Sequence, residues 1–176
     1  MAEPAAPTVA ARTLVLMRHA PAGGAARDHD RPLTPDGVRT ATEAGRWMRA
    51  NLPAVDLALC SSATRTRQTL SAAGVAGQVR YSDELYGGGV DDVLAEVSSV
   101  PDAVSTLLVV GHAPTIPSTA WELVTQARLN REAESSSADE ELRRFAAGTF
   151  AVLTTTAGWA ALAEAGAQLQ TVRHPV

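Results

Sequence analysis

The amino-acid sequence predicts a single-domain α/β fold, a three-layer α/β/α sandwich around a mostly parallel sheet. Short apolar runs alternate with stretches of helical spacing along most of the chain, the pattern of strands joined by crossover helices. Two of those runs, "LVLMRHAPA" (14–22) and "LLVVGHAPT" (107–115), share a texture of four apolar residues, one junction residue and then His-Ala-Pro. Ligands of such sheets bind beyond the carboxyl ends of the strands. Both histidines therefore fall at the binding edge.

Taken in order, residues 1–12 read as a disordered tail and 13–176 as the domain. Thr13 to Met17 is short and apolar, as a buried parallel strand would be. After a loop rich in glycine and charge, Thr34 offers an N-cap and Pro35 a first helical position. Val38, Ala41, Gly45, Met48 and Leu52 then recur three or four apart, which predicts a helix with one apolar face ending before Pro53. "VDLALCSS" predicts a second strand, and "ATRTRQTLSAAG" a short helix closed by Gly74.

"GQVRYS" gives a third strand, "DELYGGG" a loop, and "VDDVLAEVSSV" a helix ending before Pro101. "STLLVVGH" is the fourth strand, and the helix after it is expected to begin near Pro117. The charged stretch Asn130 to Arg144 is either a loop or an exposed flap over the site. "TFAVLTTT" reads as a strand, while "WAALAEAGAQLQTV" has no decisive pattern.

Composition removes several function classes. With 176 residues and 45% hydrophobic content, the chain has the size and apolar fraction of one globular domain. A net charge of -4 argues against a general nucleic-acid binder. No apolar run approaches the roughly 20 residues that span a bilayer, and the first residues lack a signal peptide's basic start and apolar core. Cys60 is the only cysteine, so no internal disulfide can form, which suits a cytoplasmic protein.

At the binding edge Arg18 adjoins His19, Arg65 and Arg67 follow the second strand, and Arg31 precedes the Thr34 helix start. A guanidinium fork matches phosphate oxygens in a way an ammonium cannot. All 15 cationic side chains are arginine and none is lysine, so placement rather than number carries the argument for an anion site. "RDHDR" contains Asp28, His29 and Asp30, but three adjacent residues of an extended loop cannot all face one ion, and no metal site is expected. Asp30 is instead expected to orient Arg31. Cys60 reads as a buried inert thiol, Arg67 as a solvated helix charge, and "YGGG" as a slim loop rather than a nucleotide fingerprint.

"LMRHA", "DRPLTPDG", "CSSATRTRQT" and "VVGHAP", in that order, resemble the motifs of the histidine phosphatase superfamily, also called phosphoglycerate mutase-like. The size and the Asp-Arg-Pro-Leu-Thr stretch are most similar to its SixA-type phosphohistidine phosphatase branch. The resemblance implies that His19 is a nucleophile taking the phosphoryl group to form a phosphohistidine intermediate. It implies further that Arg18, Arg31 and Arg65 bind phosphate and that His112 hydrogen-bonds the phosphoryl oxygens. Ser62 stands where the family often has proline. A glutamate in the region after the third strand often donates the proton in this superfamily, which makes Glu84 the candidate acid. No metal or other cofactor is implied.

Three functions fit these residues. The first is a phosphatase acting on phosphohistidine in a protein; the second is a phosphatase for small phosphomonoesters such as sugar phosphates. The third is a weakly catalytic module that binds phosphate or a phosphoprotein. Both histidines and all three matched arginines are present, which disfavours the third. No long insertion separates "QT" from "VVGH", leaving little material for a cap and room for a protein substrate.

Overall fold

The structure, a computed structural model, describes residues 10–131 and 138–175. The chain runs through β1 (Arg12–Arg18), a 3-10 turn (Asp28–Asp30), α1 (Pro35–Asn51), β2 (Val55–Ser61), α2 (Thr64–Ala73) and β3 (Ala76–Ser82). It continues through α3 (Glu84–Gly87), α4 (Val90–Ser98), β4 (Thr106–Gly111), α5 (Thr115–Leu129) and α6 (Ala138–Arg143). β5 (Phe150–Thr155), a 3-10 turn (Trp159–Ala161), α7 (Leu162–Ala165) and β6 (Gln168–Arg173) complete it. Among the described residues the strands form one sheet in the order β3-β2-β4-β1-β5-β6. β1 to β4 are mutually parallel, and β5 runs antiparallel to both its neighbours, β1 and β6.

The continuous apolar runs follow from burial on both sheet faces. On β1, Leu14 and Leu16 join the cluster under α4 and α5, while Val15 and Met17 join the one under α1 and α2. β4 repeats this with Leu107 and Val109 on one side and Leu108 and Val110 on the other, all fully buried. Alternate side chains of a strand face opposite ways, so a central strand must be apolar throughout. Truncating one of them, as in Leu16→Ala, would cost about 2–5 kcal/mol.

α1 starts as expected, with Thr34 accepting a hydrogen bond from Gly37 N at 3.0 Å and Pro35 in the first turn. Its buried stripe is Gly37, Ala41, Ala44, Gly45 and Met48; Val38, expected on that face, is 46% exposed. Val38 lies about 100° round the helix from Gly37, at the margin of the stripe. The two glycines are required by close approach: a Cβ on Gly37 would lie 2.0 Å from Pro21 O, and one on Gly45 1.9 Å from Ala73 O. α2 ends on Gly74 at φ 61°, the left-handed cap its glycine foretold.

Other expectations shift. β1 opens at Arg12, paired with Thr155, one residue before the expected start of the domain; residues 1–9 of the expected disordered tail lie outside the described residues. α5 begins at Thr115, because Pro117 falls in a first turn where its missing N–H costs nothing. The "DELYGGG" loop contains α3. Of the charged stretch 130–144, residues 132–137 lie outside the described residues and 138–143 form α6. The undecided C-terminal stretch supplies α7 and then β6, which closes the sheet beside β5. No helix among the described residues is long and apolar enough to cross a membrane.

Candidate active site

Register brings the two histidines together. Arg18 on β1 pairs with Gly111 on β4, and His19 N donates to Gly111 O at 2.9 Å. The next residues on these neighbouring strands are His19 and His112, whose ring centres lie 5.3 Å apart. β2 joins from the other side of β4, with Cys60 opposite Val110, so Ser61 ends at the same level. Its hydroxyl lies 2.8 Å from His112 Nε2.

His19 is fixed through backbone and ring. Its carbonyl accepts from Gly148 N at 2.9 Å, and its Nδ1 lies 2.8 Å from Ala20 O. A carbonyl oxygen can only accept, so Nδ1 carries the proton and Nε2 keeps a lone pair. Ala20 N donates to the Thr69 hydroxyl at 3.0 Å, which in turn donates to Arg65 O, tying this loop to α2. Thr69 closes the "RTRQT" motif and is a positioning residue that sequence reading left without a role.

The three expected arginines converge on the same place. Arg65, whose side chain is only 7% exposed, donates to Asp28 O at 2.7 Å and to Asp28 Oδ2 at 3.0 Å. Arg31 donates through Nε to Gly23 O and through Nη1 to Asp28 Oδ1 at 3.1 Å. Arg18 donates to Phe145 O at 2.9 Å. Burial first, and then the charges of Arg65, Arg18 and Arg31, push the His19 ring down to about 4 against a backbone hydrogen bond that raises it. Burial, Arg65 and His19 push His112 down to about 3. Both rings are neutral at pH 7.

Arg18 Nε, Arg65 Nε and His112 Nδ1 are buried without a hydrogen-bond partner. The Nε atoms of Arg12 and Arg80, at the far end of β1 and on the edge strand β3, share that condition, so the guanidinium atoms alone would be weak evidence. The His112 nitrogen is more telling: a buried polar ring atom left without a partner calls for one from outside the chain.

Asp28, not Asp30, holds Arg31; Asp30 pairs with Arg27 at 2.6 Å instead. The 3-10 turn places Asp28 one turn before Arg31, where its carboxylate bridges Arg31 and Arg65 and also accepts from Tyr86 Oη at 3.1 Å. Those contacts, Arg31 first, hold its carboxyl down at about 2. His29 points elsewhere, with Nε2 3.1 Å from Ser62 Oγ and its ring edge-on to Tyr86. Ser62 Oγ donates to Asp83 Oδ1. His29 Nδ1 also lies 3.5 Å from Asp30 Oδ1, while Asp28 turns to Arg31 and Arg65. Among the described residues no group of three or more His, Cys, Asp or Glu is placed to hold a metal ion.

Glu84 is exposed at the start of α3, and its carboxylate has no partner among the described residues. The same segment sends Tyr86 inward, its ring 5.6 Å from that of His112 and under the Arg65 guanidinium. Tyr86 and Asp28 join this site through contacts that no local motif signals. Arg67 is exposed and stacks on Tyr81, and Cys60 is fully buried with its thiol pushed up to about 12.

His19, the His112 ring beside it and the guanidiniums of Arg18, Arg31 and Arg65 thus form a cationic site at the edge of an α/β sheet. Residues 14–86 match the profile of the Histidine phosphatase superfamily (branch 1), and the chain belongs to that superfamily. It is 71% identical to a solved structure described as a candidate phosphohistidine phosphatase SixA from Nakamurella multipartitia, covering 95% of this chain and 98% of that one with a TM-score of 0.92. A candidate SixA from Agrobacterium tumefaciens is 26% identical, with 93% and 99% coverage and a TM-score of 0.72. An uncharacterized protein of Mycobacterium tuberculosis is 45% identical over 148 residues, which is 82% of this chain and 90% of that protein.

Proposed function

We propose that the protein is a phosphatase that removes the phosphoryl group from phosphohistidine in a protein. The His19 Nε2 lone pair attacks phosphorus, the P–N bond to the substrate imidazole breaks, and that imidazole leaves with the bonding electrons and takes up a proton. Water then attacks the phosphohistidine on His19, releasing inorganic phosphate and restoring the ring. Arg18, Arg31, Arg65 and His112 offset the charge on the equatorial oxygens. The chain supplies the nucleophile and the cations, and the proposed route calls on no metal.

The observation that carries this reading is the neutral His19 ring, with its Nδ1 proton directed at Ala20 O and its Nε2 free, set among the arginines. Asp28 supports the choice of substrate. A carboxyl held at about 2 is ionised at neutral pH and is a poor acid for an alcohol leaving group, whereas an imidazole leaves a P–N bond with less help. Glu84 is the proposed proton donor for ester substrates alone. The solved relatives described as SixA point the same way. The proposed location is the cytoplasm, with which a lone buried cysteine is compatible.

The test compares a chemically phosphorylated histidine protein with sugar phosphates and p-nitrophenyl phosphate, on wild type and Glu84→Gln. The expected kcat/KM for phosphohistidine exceeds that for the esters by roughly tenfold or more. EDTA leaves it unchanged, and Glu84→Gln lowers ester hydrolysis only. Preference for a sugar phosphate would make the protein a small-molecule phosphomonoesterase. Binding of phosphate with no turnover would make it a recognition module.

A further inference from the structure

We infer that Ser61 is a positioning residue that sets the proton of His112 on Nδ1, where it can be donated to a phosphoryl oxygen. The inference rests on the phosphatase reading above for its purpose, and on the hydrogen bonds around Ser61 for its direction. Ser61 is fully buried at the end of β2. Its oxygen has two neighbours: Ala63 N at 3.4 Å and His112 Nε2 at 2.8 Å. The Ala63 amide can only donate, so the Ser61 oxygen accepts there. Its hydroxyl proton has the His112 Nε2 as the available acceptor.

The opposite arrangement leaves two groups unsatisfied. If Nε2–H donated to Ser61, the buried hydroxyl proton would have no acceptor, which is costly inside a protein. The bare lone pair of Nδ1 would also face an incoming phosphoryl oxygen, acceptor against acceptor. With the proton on Nδ1, the nitrogen that lacks a partner becomes a donor at an anion site already shaped by Arg18 and Arg65. The two histidines then carry the same tautomer for different ends. In His19 it exposes a lone pair at Nε2; in His112 it presents a proton at Nδ1.

Nitrogen-15 spectra of the histidine rings in the substrate-free enzyme test this directly, with His112 assigned by its loss in His112→Asn. Wild type is expected to be protonated at Nδ1 and bare at Nε2. Ser61→Ala is expected to move the proton toward Nε2 and to lower kcat roughly ten- to hundredfold. Ser61→Thr, which keeps the hydroxyl, is expected to restore both the Nδ1–H signal and most of the rate. A wild-type ring protonated at Nε2, or a Ser61→Ala ring with its proton unmoved, overturns the inference. The wild-type spectrum needs no turnover, so absence of phosphatase activity and failure of the Ser61 assignment are separate results.

Discussion

Arg18 and Gly111 sit opposite each other across β1 and β4, and His19 and His112 are the residues that follow them. The juxtaposition of the two rings is thus a consequence of strand register. Loops displace their residues readily, whereas central parallel strands buried on both faces hold a fixed pairing. The sheet sets the reacting distance, and the surrounding arginines set the charge.

Arg65 is the proposed phosphate ligand most dependent on fork geometry. Its Nη atoms are both committed to Asp28, and its Nε is the free donor. Arg65→Lys keeps the charge but loses this division of roles. Steady-state kinetics should show kcat/KM reduced by ~10²–10³, while the melting temperature changes little. A variant retaining wild-type kinetics would remove Arg65 from phosphate binding.

The two buried rings should make the fold acid-sensitive above the carboxylate range. In the unfolded chain a histidine titrates near 6.5, and in the native state His19 and His112 are lowered to about 4 and about 3. Between those values the unfolded chain binds more protons, so stability rises with pH across that window and is lost as pH falls through it. Asp28, lowered to about 2, keeps its contribution at pH 5. Thermal unfolding should therefore begin several degrees lower at pH 5 than at pH 7. Replacing both histidines with asparagine should flatten that difference.

Gly37 connects the helix start to the site loop. A methyl group there would meet Pro21 O at 2.0 Å, backbone against backbone, with no flexible side chain to yield. Gly37→Ala should cost about 1–3 kcal/mol, read by denaturant unfolding. Because Pro21 follows Ala20, whose carbonyl accepts the His19 proton, turnover should fall as well. An alanine variant as stable as wild type would mean that α1 can slide away from the loop.

Much of this was legible in the sequence because burial writes itself into composition. β1 and β4 had to be apolar throughout, α1 announced itself by Thr34 and Pro35, and the abrupt ends of two runs marked His19 and His112. What stayed hidden depends on partners far along the chain. Nothing in "CSS" says that Ser61 meets a ring 51 residues later, because that contact depends on β2 lying beside β4. Val38 sits at a proper helical spacing, yet at the margin of the buried stripe it is left in solvent. Asp28 and Asp30 both flank Arg31, and only the 3-10 turn decides which carboxylate it meets. β6 alternates exposed and partly covered residues at a sheet edge, a signal too weak to read beside "WAALAEAG".

The account depends on His19 becoming phosphorylated during turnover. Rapid acid-free quenching of wild-type enzyme with excess phosphohistidine protein, followed by mass spectrometry of the intact chain and its peptides, measures this directly. The expected result is one phosphoryl group on His19, labile to acid, absent in His19→Ala together with all turnover although that variant remains folded. Turnover at the wild-type rate by His19→Ala, or a phosphoryl group found on another side chain, would contradict it.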